Sequence, residues 1–104
     1  MIYLSNAFSL QMLPLECVSD IKATPVTKEE VAQSDFTSVV GHLDTANVLT
    51  DLLGKKVACN RVNLALEPHD VLYVAQLVGG RLPEGATTLP EGYEFKFVRV
   101  ELSN

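Results

Sequence analysis

The segment that decides the fold runs from Val71 to Val78 and reads VLYVAQLV. A strand with one solvated face would alternate polar and apolar residues, but here Gln76 interrupts an otherwise uniformly apolar run. Strands that lie inside a sheet have this nearly continuous apolar composition. We therefore place residues 71–78 inside a β-sheet.

Shorter extended segments on either side supply the rest of the sheet. Met1–Leu4 is mostly apolar and is predicted to be a central strand. Alternating polarity and β-branched content favour further strands at 16–26, 36–40, 61–66 and 93–102. A turn is expected at 67–70, and residues 79–92, which are rich in glycine and proline, are expected to form a long loop.

A short helix and a helical turn are predicted in the first third of the chain. Thr27 with Glu30 three residues later is the signature of a capping box, so a short helix should open there and continue to Gln33. Residues 9–13 are expected to form one helical turn, which Pro14 stops.

The longer helix follows Gly41. Asp44 or Thr45 can cap its start, and Gly54 can end it. Its buried face is predicted from apolar residues at helical spacing, namely Val48, Leu49, Leu52 and Leu53.

Together these elements predict one α/β domain over residues 1–104. We expect a mixed sheet of about five or six strands, with two main helices and a short helical turn. The chain has 104 residues, and eight Lys and Arg against thirteen Asp and Glu give a net charge of −5. That charge argues against a protein that coats DNA or RNA. No apolar run is long enough to cross a membrane, so we expect a cytoplasmic protein, or one of the host cytoplasm if the chain is viral.

Metal-binding patterns are not found in the sequence. Cys17 and Cys59 lie far apart, and neither has a second Cys or a His at metal-ligand spacing. A lone buried thiol is the prediction for each. The carboxylates show no metal-type clustering, and there is neither a P-loop nor a Ser-His-Asp signature.

Polar residues near the predicted strand ends are the candidates for a site, because open α/β sheets build their sites there. His42, at the start of the long helix, can donate a proton to a leaving oxygen beside an anion held by the helix start. A histidine that only caps the helix or packs at its entrance is the competing interpretation. The full set of candidates is Asn6, Ser9, His42, Arg61, Gln76, Arg81 and Glu84.

The other candidates also have a plain structural interpretation. Arg81 lies among glycines and can grip a phosphate with its guanidinium, or it can pair with Glu84 at the surface. Gln76 in its apolar run must find a hydrogen-bond partner or face a cavity. Asn6 and Ser9 can be turn formers only.

Four segments together resemble one known family. They read LSNAFSLQML at 4–13, GHLDTA at 41–46, NRV at 60–62 and QLVGGRLPEG at 76–85. The chain is in this respect similar to the viral anti-CRISPR ring nucleases of type III immunity and their bacterial relatives. The resemblance runs from the first predicted strand to the last.

The resemblance implies a specific activity. Members of that family cleave cyclic tetraadenylate without a metal, and so switch off the CRISPR effectors that this messenger activates. A ribose 2′-OH attacks the adjacent phosphate, and linear di-adenylates with cyclic-phosphate ends are released. The resemblance further implies a homodimer with the ligand pocket across its axis, and no cofactor, DNA or membrane partner.

The same resemblance assigns roles to the candidate residues. It implies that His42 and Glu84 are catalytic, with Glu84 orienting either His42 or a ribose hydroxyl. It places substrate binding on Asn6, Ser9, Arg61, Gln76 and Arg81. Two other functions remain open: a protein of the same fold that sequesters the cyclic nucleotide without cutting it, and a small viral protein that docks on a host protein through an exposed apolar patch.

Overall fold

The computed structural model describes residues 1–14 and 20–103, and it places the apolar run inside a five-stranded mixed sheet. This run is strand β4 (Val71–Val78), which pairs in parallel with β1 (Ile2–Ser5) and antiparallel with β5 (Glu94–Ser103). β2 (Asp20–Val26) and β3 (Thr37–Ser38) form the two edges, in the order β2-β5-β4-β1-β3. The predictions of an interior run and of a mixed α/β fold are confirmed.

Both faces of the sheet are apolar, which explains why β4 does not alternate. On one face Leu4, Ala75 and Phe97 belong to the core that the helices cover. On the other face Leu72 and Val100 pack with Leu66 and with residues of the turn region near the N-terminus. The predicted helical turn is a 3-10 helix at Leu10–Met12.

Helix α1 (Lys28–Gln33) begins as the sequence predicts, but only half of the capping box forms. The Thr27 hydroxyl oxygen accepts from the Glu30 backbone N–H at 3.2 Å. The Glu30 carboxylate accepts from the Tyr73 hydroxyl at 2.8 Å and from the Arg99 guanidinium at 2.7 Å. Glu30 therefore ties the helix to the sheet, because a charged partner competes better than the backbone N–H of Thr27.

Helix α2 (Leu43–Leu53) buries the face that the sequence predicts, and Gly54 ends it at a φ of +66°. The predicted caps, Asp44 and Thr45, are wrong. His42 is the N-cap, because its backbone is extended and its carbonyl accepts from the Ala46 N–H at 3.0 Å. In the part of the chain that the structure describes, no helix has the length and apolar character of a membrane span.

Residues 61–66 are not a strand, contrary to the prediction. Their polar and apolar residues alternate because Leu64 and Leu66 pack on the outer sheet face while their neighbours are exposed. Leu66 is held by a bond from its N–H to the Met12 carbonyl at 2.7 Å rather than by a sheet ladder.

Cys59 is exposed, not buried, in a single bridge to Val40. Cys17 and the predicted start of the strand at residue 16 lie outside the described residues. The observed strand begins at Asp20.

Candidate functional site

The candidate site lies at the edge of the sheet where the parallel strands end. Asn6 directly follows β1, and the loop at 79–92 directly follows β4. His42 lies between β3 and α2. Because the carboxyl ends of parallel strands meet at one edge, residues far apart in sequence come together there.

A cavity of about 760 Å³ opens at this edge, and four of the seven predicted site residues line it. They are Asn6, His42, Arg81 and Glu84. The apolar part of its wall is formed by β4 and β5 and includes Ala75, Leu77 and Phe95. Polar groups thus converge over an apolar wall, which is the usual composition of a small-molecule site.

His42 is exposed, and its side chain makes no capping hydrogen bond to the helix that it precedes. The interpretation of His42 as a residue that caps the helix is confirmed for its backbone, and the imidazole takes no part in the cap. Leu43, Asp44 and Thr45 line the same cavity, and they form the first turn of α2. The N–H groups of a first helical turn lack intrahelical acceptors and carry partial positive charge, so an anion is favoured beside the imidazole.

Arg61 is not among the residues that line the cavity, but it packs against Gly41, the residue before His42. A β-carbon at Gly41 would lie 3.3 Å from Arg61 Cγ, so the arginine stem packs against the bare backbone there. The Gly41 N–H donates to Asn6 Oδ1 at 3.3 Å. The Asn60 N–H donates to the Val40 carbonyl at 2.7 Å, which fixes the backbone just before Arg61. Asn6 and Arg61 thus both contact Gly41, which is the residue directly before His42.

The loop that carries Arg81 starts with a turn that only glycine fits. Gly79 has a φ of +118°, and a β-carbon there would lie 2.9 Å from the Gly92 carbonyl oxygen. Two contacts then fix the loop: the Tyr93 hydroxyl donates to the Arg81 carbonyl at 3.1 Å, and the Gly85 N–H donates to Asp44 Oδ2 at 3.0 Å. No ion pair joins Arg81 to Glu84, so the interpretation of a surface pair is not supported.

Gln76 and Ser9 do not lie in the cavity. Since Ala75 and Leu77 face it, Gln76 points to the opposite side of the sheet. Gln76 is exposed rather than buried, and it lines a separate cavity of about 480 Å³, which is one of its two predicted alternatives. Ser9 is exposed and precedes the 3-10 turn without a side-chain capping bond.

Sequence reasoning missed the polar contacts that shape the loop. The sequence predicts Asp44 as a possible helix cap, but its carboxylate accepts a hydrogen bond from a residue 41 positions later. The sequence predicts Tyr93 as the first residue of a strand, and its hydroxyl contacts a carbonyl 12 positions earlier. Such long-range bonds leave no local pattern. Across residues 1–14 and 20–103, no three His, Cys, Asp or Glu side chains are grouped as a metal site requires.

The comparisons with known proteins agree with this architecture. Residues 2–101 match the family model described as STIV B116-like. Among solved structures, B116 of Sulfolobus turreted icosahedral virus (STIV) superposes with a TM-score of 0.75. The two sequences are 22% identical, over 96% of this chain and 97% of that chain, so this likeness concerns the fold. No curated protein matches the chain by sequence.

Proposed function

We propose that this chain, which belongs to the STIV B116-like family, is a metal-independent ring nuclease. Its substrate is cyclic tetraadenylate, and its products are linear di-adenylates with cyclic-phosphate ends. The substrate comes from the resemblance of the four sequence segments to ring nucleases. The observation that carries the proposal is the convergence of Asn6, His42, Arg81 and Glu84 on one open cavity.

Beside the carboxylates of Asp44 and Glu84, the cavity wall carries groups that can hold a phosphodiester. The first turn of α2 presents backbone N–H groups, and Arg81 adds a guanidinium to the same wall. In the proposed complex Arg61, whose side-chain stem packs on Gly41 next to His42, supplies a second guanidinium. In the proposed complex these groups hold the scissile phosphate and neutralise the charge that develops on phosphorus.

The proposed reaction uses the nucleophile of the substrate itself. The ribose 2′-oxygen forms a bond to the adjacent phosphorus, the bond from phosphorus to the 5′-oxygen breaks, and the 2′-hydroxyl proton passes to solvent. The His42 imidazolium gives a proton to the 5′-oxygen, a contribution of roughly 10²–10⁴-fold for a general acid. Glu84 orients His42 or a ribose hydroxyl. Holding the 2′-oxygen in line with the leaving group supplies further acceleration.

A second copy of the chain is part of this proposal. Leu43, which lines the cavity, is 60% exposed, and Val62, which follows Arg61 in the sequence, is 52% exposed. Covering them with a partner removes apolar area from water. A two-fold axis there would place two copies of His42 at opposite phosphates of a ring with four repeats, with four arginines around it.

The experiment that tests the function is incubation of the protein with cyclic tetraadenylate in EDTA, followed by chromatography of the products. We expect linear di-adenylates with cyclic-phosphate ends, at a rate that EDTA leaves unchanged. An intact ring that co-elutes with the protein would indicate sequestration without cleavage. An intact ring that does not bind would favour a protein-docking role, and strong inhibition by EDTA would contradict the metal-independent mechanism.

A further inference from the structure

We propose that Asp44 is a positioning residue for cleavage: its carboxylate holds the loop at 79–85 so that Glu84 stays in the cavity beside His42. This inference rests on the proposed function, and it assigns a role that the ring nuclease resemblance does not give to Asp44. Asp44 acts through the Gly85 backbone, so it is not a catalytic residue.

This role rests on one hydrogen bond between helix α2 and the loop. The Gly85 N–H donates to Asp44 Oδ2 at 3.0 Å. Asp44 is the second residue of α2, two positions after His42, and Gly85 directly follows Glu84. The bond therefore joins the start of α2, next to His42, to the loop residue that follows Glu84. The side chains of His42 and Glu84 both line the cavity.

The glycines of the loop leave its backbone permissive, while Leu82 and Ala86 anchor it by packing against the core. Gly79, Gly80 and Gly85 have φ values of +118°, +121° and +78°, in the region that glycine enters at no steric cost. Glu84 is exposed and lies between Pro83 and Gly85. The Tyr93 contact fixes the Arg81 end of the loop. At the Glu84 end, the bond to Asp44 connects the loop to α2.

A carboxylate in the first turn of a helix also stabilises the helix through its dipole, so the test must separate the two roles. Loss of dipole stabilisation lowers the melting temperature and leaves the rate of the bound complex unchanged. Loss of positioning lowers the cleavage rate of the bound complex and leaves the affinity nearly unchanged. A misplacement of a catalytic group by about 1 Å can lower the rate ~10²-fold. Asp51 is an exposed carboxylate on the same helix and serves as the matched control.

The experiment compares Asp44→Ala, Asp44→Asn and Asp51→Ala with the wild type. The readouts are the single-turnover cleavage rate of cyclic tetraadenylate, its dissociation constant, and hydrogen exchange of the Gly85 amide. We expect Asp44→Ala to cleave on the order of tenfold slower or more with its affinity within about threefold, and its Gly85 amide to exchange faster. Asp44→Asn keeps an acceptor oxygen and should retain most of the rate. Asp51→Ala should behave as the wild type.

The outcomes separate this inference from the proposed function. If the wild type cleaves and Asp44→Ala cleaves equally fast, the positioning role is wrong and the nuclease function stands. If the wild type itself leaves the ring intact, both fail. Should Asp44→Ala not fold, Asp44→Asn decides: a folded Asn variant that has lost cleavage contradicts a role that needs only a hydrogen-bond acceptor.

Discussion

At His42 the chain passes from extended backbone into a helix, and this transition determines what the side chain can do. The backbone carbonyl supplies the helix cap, while the imidazole makes no capping bond and stands at the cavity. The sequence identified His42 because a histidine between a strand and a helix is well placed beside an anion. It could not show that the backbone alone performs the capping role.

Arg81 gives a prediction about binding. A charge-assisted hydrogen bond to phosphate contributes about 1.5–3 kcal/mol, so Arg81→Ala should weaken the affinity for cyclic tetraadenylate roughly tenfold to hundredfold. Titration calorimetry measures this directly. Lys96→Ala is the control, because Lys96 is an exposed cation that lines the other cavity. Equal affinity of Arg81→Ala and wild type would return Arg81 to a purely structural role.

Gln76 shows where residue-level reasoning fails. Its position in an apolar run predicted burial, because strands inside a sheet are usually covered on both faces. Near the end of β4 one face is open, so the amide reaches solvent while Ala75 and Leu77 stay on the covered side. The solvent exposure of residues near a strand end depends on how the neighbouring loops pack, which sequence patterns do not describe.

At the scale of elements, α1 is fastened to the sheet by a polar cluster. The Tyr73 hydroxyl, and then the Arg99 guanidinium, lower the pKa of the Glu30 carboxyl against a partial opposing effect of burial. Burial, and then Glu30, raise the pKa of Tyr73. Tyr73 and Arg99 face each other on β4 and β5, so α1 is joined to both strands at once.

This cluster predicts an acid-sensitive part of the stability. Because the pKa of Glu30 lies below its ordinary value of 4.5, the ionised carboxylate stabilises the fold above that value. The contribution is lost as the pH falls through the lower, folded-state pKa. Glu30→Gln should therefore lower the melting temperature at neutral pH, and the difference from wild type should shrink below about pH 4.5.

The matched control for this prediction is Glu29→Gln, because Glu29 is an exposed carboxylate in the same first turn of α1. Its thermal unfolding should follow the wild type across the same pH range. If Glu30→Gln and Glu29→Gln melt alike at neutral pH, the cluster does not fasten the helix.

Elements were predictable where local chemistry is unambiguous. The apolar run of β4, the Thr27 cap and the Gly54 end of α2 each have one satisfactory structural interpretation, and each prediction was confirmed. Residues 61–66 have two possible structural interpretations, because an irregular segment lying on a sheet face alternates polar and apolar residues as a strand does. Only the pairing of the backbone distinguishes them, and pairing is a tertiary property.

At the scale of the whole molecule, the net charge of −5 is compatible with an anionic ligand if positive groups are local. Arg81 lines the cavity, and we propose that Arg61, whose stem packs on Gly41, also contacts the small cyclic ligand. The acidic remainder would repel a long polyanion from the same site.

The proposed homodimer can be tested by placing a charge at the exposed apolar residue Val62. Sedimentation of the wild type should give twice the mass of one chain. Val62→Asp should shift the measured mass toward that of the monomer, because burying a charge in a dry interface is costly. Ile21→Asp is the control, since Ile21 is also an exposed apolar side chain, 45% accessible, but lies on the far edge strand β2. A wild-type chain that sediments as a monomer at high concentration would contradict the proposal.

The central claim is that His42 donates the proton in metal-free cleavage of cyclic tetraadenylate. The most direct measurement is the single-turnover cleavage rate of His42→Ala in EDTA, alongside its affinity for the same ligand. The control is His69→Asn, which changes the histidine in the turn before β4, where φ is +80° and Asn is tolerated. We predict that His42→Ala binds the ring as the wild type does and cleaves it roughly 10²–10⁴-fold more slowly, while His69→Asn cleaves at the wild-type rate. Cleavage by His42→Ala at the wild-type rate would contradict the account.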